Sequence, residues 1–143
     1  QESFQSLGWS VTEHTCDALQ WAKGADSQRW DLIVTTLFLH HFDSQPLAAL
    51  LAGVAARTNQ FVACEPRRSR TALAGSHLIG AIGVNALTRH DAVLSVRAGF
   101  CAHELQTHWP PDPREWGFAE YRAGLFSHCF IASLATDHTR AGL

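Results

Sequence analysis

Residues 30–43 read WDLIVTTLFLHHFD, an apolar run that passes through two hydroxyl residues into a pair of histidines. Leu32, Ile33 and Val34 follow one another without polar alternation, as in a parallel strand covered on both faces, and predict a buried strand over residues 31–36. Next, Asp43 or Ser44 can cap a helix that carries Pro46 in its first turn, where a missing N–H costs little. Leu47, Leu50, Leu51 and Val54 fall at i, i+3, i+4 and i+7, a core-facing stripe. The back of that helix is Ala48, Ala49, Ala52, Gly53 and Ala56, small enough for close packing on a second side. Arg57 and Asn59 end it, and QFVAC over residues 60–64 predicts another buried strand, closed by Glu65-Pro66.

The flanks carry weaker patterns. Phe4 and Leu7 have helical spacing and Gly8 follows where a C-terminal cap falls, so residues 1–7 read as the end of a helix. Residues 9–16 predict a short strand with Trp9 and Val11 on one side, and Leu19 to Ala22 a helical turn. Downstream, Leu73, Leu78, Ile82 and Leu87 predict a helix over residues 71–87. Gly75, Gly80 and Gly83 each lower its propensity by roughly 1 kcal/mol against Ala, so close backbone packing is expected there. A phosphate loop is not, because no strand directly precedes these glycines and no Lys follows. Thr88 and Asp91 form a capping-box pattern for a short helix that stops at Gly99. Residues 101–109 alternate and predict a strand, Pro110, Pro111 and Pro113 mark a loop, and residues 116–121 and 125–134 predict two β segments around Arg122-Ala123-Gly124. Residues 136–143 read as a frayed tail.

Composition narrows the class. The 143 residues suffice for one domain with one core; 46% are hydrophobic and 17% charged, which excludes a disordered chain. A formal net charge of -2 gives no reason to expect nucleic acid or an anionic membrane as partner. Cys16, Cys64, Cys101 and Cys129 are scattered without a C-x-x-C pair, the pattern of reduced thiols in a cytoplasmic protein. No apolar run approaches the roughly 20 residues that span a bilayer. Met is absent even at position 1, so Gln1 is expected to follow a segment removed upstream.

The order of short words is more specific than any one of them. Cys16-Asp17-Ala18 after a strand, then WDLIVTTLFLHHF, an Ala/Leu helix, FVACEPRRS and TRHDAVLSVRAGF before the late strands resembles the later two-thirds of a class I S-adenosylmethionine-dependent methyltransferase. The similarity covers residues 1–132. It implies an α/β fold, a partial Rossmann-like methyltransferase sheet with a C-terminal antiparallel β-rich unit, making residues 1–143 a single incomplete domain. By the same resemblance Asp17 would accept from the exocyclic amine of the cofactor's adenine and Ala18 would donate from its backbone beside Cys16. Thr35, Thr36 and Leu37 would line the S-adenosylmethionine, and His40 and His41 would face a small-molecule acceptor. The family's glycine-rich loop and ribose-binding acid belong to segments upstream of these words. Its sheet order, 3-2-1-4-5-7-6, would lose central strands here, leaving a hydrophobic edge that invites a homodimer.

Methyl transfer from a sulfonium is an in-line displacement, so a protein positions the two reactants and supplies a base for a hydroxyl or amine acceptor. A histidine suits that task near neutrality. His40 and His41 point in different directions, so one at most faces the acceptor, with His41 preferred; the bland alternative is that both cap or pack. Glu65 is a second base or an acceptor-binding carboxylate, or else a loop residue before Pro66. His40, His41 and Asp43 also suggest a metal set, but adjacent histidines rarely hold one ion well and no H-x-x-x-H spacing supports it. Arg67, Arg68 and Arg70 read as a solvated turn with some capacity for an acidic substrate. The non-enzymatic alternative is a self-associating module that keeps the methyltransferase scaffold.

Overall fold

The uninterrupted run Leu32-Ile33-Val34 lies in a strand, β1 (Trp30–Thr36), in a computed structural model that describes residues 6–24, 28–78 and 85–135. A 3-10 turn (Leu39–His41) leads to the helix α2 (Ser44–Arg57) and the strand β2 (Thr58–Pro66). A short helix α1 (Ala18–Lys23) precedes β1. Downstream come α3 (Arg70–Leu78), α4 (Ala86–Ala98), α5 (Glu104–His108), β3 (Trp116–Ala123) and β4 (Ser127–Leu134). The fold is mixed α/β with one open four-stranded mixed sheet, in the order β1-β2-β4-β3.

β1 and β2 are parallel, joined through α2 as a parallel pair requires, with Ile33 beside Phe61 and Thr35 beside Ala63. β4 then runs antiparallel to β2, and β3 antiparallel to β4. Gly124, at φ +69, supplies the left-handed residue of the β3–β4 connection. Registers of two put Phe61, Ala63 and Glu65 on one face with Phe130, Ala132 and His128. All six side chains are buried, and the stripe Leu47, Leu50, Leu51 and Val54 of α2 closes over them. Trp109 joins this core, with its ring centroid 5.8 Å from Phe61 and 5.6 Å from Phe130.

The small back of α2 is close-packed at Gly53, whereas Ala52 and Ala56 stay exposed. A Cβ at Gly53 would lie 2.6 Å from the Cβ of Ala22, so α1 rests directly on the α2 backbone. Arg57 ties the ends of both helices together: its guanidinium donates to Ala22 O at 3.0 Å and Gly53 O at 3.1 Å, and lies 5.0 Å over the Trp21 ring. Ala22 O, a terminal carbonyl that lacks a helical partner, is thereby satisfied by a cation that also suits the helix dipole.

Four expectations change. β1 is an edge strand with one covered face rather than a buried strand, and Leu32 (47% exposed) and Val34 (56% exposed) face outward. An apolar run reports a demand for cover, and the described chain supplies it on one side. Residues 9–16 form no strand; without a neighbouring strand to take its hydrogen bonds, an alternating segment has no reason to stay extended. Residues 104–108 are helical rather than extended. Leu105 and Trp109, four apart, share a face in either conformation, and the Glu120 carboxylate accepts from Leu105 N and Gln106 N, both at 3.0 Å, which selects the helix. Residues 85–87, expected to close a helix over residues 71–87, instead open the helix expected to be capped by Thr88: Asn85 is extended and its side chain accepts from Thr88 N at 2.8 Å. The expectations for residues 1–5, Gly80, Gly83 and the tail 136–143 lie outside the described residues.

Candidate functional site

β1 and β2 end side by side, and the chain leaves β1 through a tight turn. Leu37 adopts φ +51, a left-handed conformation that a β-branched or bulky residue rarely takes, and its N–H donates to Cys64 O at 2.9 Å. This reversal aims three successive backbone N–H groups at one carboxylate. Glu65 accepts from Phe38 N at 3.0 and 3.1 Å, from Leu39 N at 3.0 Å and from His40 N at 3.4 Å. The Nδ1 of His40 lies 2.8 Å from Glu65 Oε2. Both side chains are buried, His40 4% exposed and Glu65 not at all.

An ionised Glu65 only accepts, so the contact takes an Nδ1–H donor from His40, and in the neutral imidazole of that tautomer the lone pair is on Nε2. His40 lines a cavity of about 320 Å3 with Phe42, Leu47, Arg68, Glu104 and His108. Glu65 does not line it and reaches it only through His40. The arrangement is a carboxylate that fixes the tautomer and direction of an imidazole beside a cavity, the orientation a general base requires. His41 is exposed, its ring centroid 4.1 Å from that of His40, and lines none of the described cavities. At the cavity wall Arg68 pairs with Glu104 and donates to Cys101 Sγ at 3.6 Å. The Cys101 contact, with Glu104 beside it, raises the Arg68 guanidinium above its ordinary value against the cost of burial.

A second cavity, of about 220 Å3, is walled mainly by apolar side chains. Cys16, Ala18 and Thr35 line it, together with Trp21, Ile33 and Phe38. Three of the six cofactor candidates therefore meet. Asp17, Thr36 and Leu37 do not line it: Asp17 caps α1, accepting from Gln20 N at 2.8 Å, and Thr36 and Leu37 are exposed. The Thr35 Oγ1 is buried with no hydrogen-bond partner among the described residues. Phe38 and Leu39 border this cavity and His40 the other, so the residues after β1 separate the two.

A second buried acid–imidazole pair escaped the sequence. His128 Nε2 lies 2.8 Å from Glu120 Oε1, with side chains 3% and 0% exposed, and His128 is the cross-strand neighbour of Glu65. Its signal was present as an acid two residues from Phe118 and a histidine two residues from Phe130, each on an inward period-two position. Among the described residues no three His, Cys, Asp or Glu side chains converge as a metal set, and no helix is long and apolar enough to cross a membrane. The four cysteines are free thiols, and burial together with the contact to Cys64, at 3.7 Å between sulfurs, raises the Cys129 thiol. No family model, curated protein or solved structure matches this chain.

Proposed function

We propose that this chain carries the acceptor side and part of the cofactor side of a class I methyltransferase site, acting on a small molecule. The observation that carries the reading is His40, held by Glu65 through Nδ1 and opening onto a cavity beside the exit of β1. The strand order supports it: β1-β2-β4-β3, two parallel strands followed by an antiparallel hairpin, has the succession of neighbours of strands 4-5-7-6 in that family's sheet. In open α/β sheets ligands gather at the carboxyl ends of the strands, where these residues lie.

The residues fit part of the implied cofactor. The 220 Å3 cavity is smaller than the roughly 300–1,000 Å3 of sites that enclose a drug-sized molecule, so it takes one ring system, with Ala18, Ile33 and Phe38 against its faces. S-adenosylmethionine, when bound, supplies an activated methyl group. His40 Nε2 takes the proton of the acceptor hydroxyl or amine, and Glu65 stabilises the imidazolium that results. Burial of the pair excludes water from the contact between Nδ1 and the Glu65 carboxylate.

Calorimetric titration with S-adenosylhomocysteine tests the reading. Binding that Ala18→Leu weakens about tenfold, with His40→Gln abolishing methyl transfer but leaving that binding intact, is the expected outcome. A second reading, a self-associating module without catalysis, has its own observation in the open edge of β1 with Trp30, Leu32 and Val34 exposed. A homodimer through that edge, with no S-adenosylhomocysteine binding either to this chain or to one extended upstream, would favour it over methyl transfer.

A further inference from the structure

Basic side chains are unevenly placed along this weakly acidic chain. Arg67, Arg68, Arg70, Arg89 and Arg97 fall within residues 67–98, where Asp91 is the single acid. Three cavities there are neighbours, each sharing one lining arginine with the next. The His40 cavity shares Arg68 with a second, of about 380 Å3, lined by Arg70, Leu73 and Val96. That one shares Arg97 with a third, of about 450 Å3, lined by His77, Arg89, His90 and Val93 between α3 and α4.

The chemistry changes along the track. At the His40 end, Asp43 and Glu104 are present and Arg68 is neutralised by Glu104. Among the described residues no carboxylate contributes to the walls of the other two cavities. Among the described residues no acid pairs with Arg70, Arg89 or Arg97. Arg89 and Arg97 are eight apart on α4, two helical turns, with Val93 between them. Unpaired guanidinium groups around an open cavity match the planar oxygens of phosphate, which they bind in bidentate fashion.

We propose that these cavities form one binding track for an elongated small-molecule acceptor that ends in a phosphate or polyphosphate. Arg70, Arg89 and Arg97, with His77 and His90, hold the phosphate handle, and the reactive end extends past Arg68 to His40. This rests on the reading of His40 as the acceptor site, whereas the handle site stands on its own residues. The handle orients the reacting group from a distance, the use of remote binding energy that favours catalysis on the larger substrate. Net acidity of the rest of the chain restricts the anion to this flank.

Inorganic pyrophosphate, titrated at low ionic strength and followed by amide chemical shifts and calorimetry, is the test. The expected result is saturable binding in the millimolar range or tighter, with shifts on α3 and α4. Arg89→Gln with Arg97→Gln weakens it about tenfold or more, the corresponding Lys variants retain most of it, and Arg122→Gln on β3 leaves it unchanged. Absence of saturable binding, or binding indifferent to Arg89 and Arg97, overturns the proposal, as does equal weakening by Arg122→Gln. His40→Gln retains pyrophosphate binding, so the S-adenosylhomocysteine titration decides the methyl-transfer reading separately.

Discussion

The two faces of the sheet are built from similar residues and have opposite fates. On one, Phe61, Ala63, Phe130 and Ala132 are sealed under α2 and α5, and the same face encloses Glu65, His40, Glu120 and His128 as hydrogen-bonded pairs. On the other, Leu32, Val34 and Tyr121 are exposed, and Cys64 and Cys129 are half-buried. The difference teaches that chemistry sits where cover is complete. A carboxylate in a low-dielectric layer must have every oxygen satisfied, and satisfying Glu65 is what fixes the path of residues 38–40 and the direction of His40.

The comparison breaks most readily at the covered face. Phe130→Ala removes a ring in contact with Phe61, Trp109 and Phe118, and is expected to cost about 3–5 kcal/mol in urea unfolding. Glu65→Ala leaves three backbone N–H groups and His40 Nδ1 without their acceptor and should cost about 3 kcal/mol. In the same variant the imidazole nitrogen resonances of His40 should lose the single-tautomer signature; their persistence would remove Glu65 from the orienting role.

A smaller effect appears at the rim of the covered layer and depends on acid. The Arg114 guanidinium, then the Arg114 N–H and the Trp116 indole N–H, hold the Asp112 carboxyl well below the usual carboxylate range against the cost of burial. Arg114 also donates to Ala55 O at 3.0 Å, anchoring the loop to α2. A depressed carboxyl contributes stability that is complete above roughly pH 4 and lost as pH falls toward its lowered value. Asp112→Asn should therefore be less stable than the parent at neutral pH, with the gap narrowing below pH 4 in thermal melts. On the open face, Val34→Thr should change stability by less than about 0.5 kcal/mol, because the side chain is 56% exposed. A cost of several kcal/mol there would mean that the face is covered in solution.

Much of the architecture was legible from spacing. The stripe Leu47, Leu50, Leu51 and Val54, the small residues around Gly53 and the apolar run 60–64 each specify one element and one packing partner, and each is found there. Residues 101–109 misled because Leu105 and Trp109, four apart, satisfy a period of two and a period of 3.6 equally. In the site, Glu65 and His40 were visible as types at strand ends, and Cys16, Ala18 and Thr35 as members of a resemblance. Glu120 and His128 were not singled out, since they come from different strands and acquire meaning only when paired.

Local sequence by itself determined the central parallel strands, the helix between them and the late strand pair, because capping residues, turn glycines and apolar periodicity act within a few positions. Tertiary structure alone decided that His40 and not His41 meets Glu65 and a cavity, that β1 lies at an edge, and that three neighbouring hollows share arginines in their walls. Those outcomes depend on strand order and on a carboxylate 25 residues along the chain from the imidazole it orients, and no local pattern encodes contacts at that range.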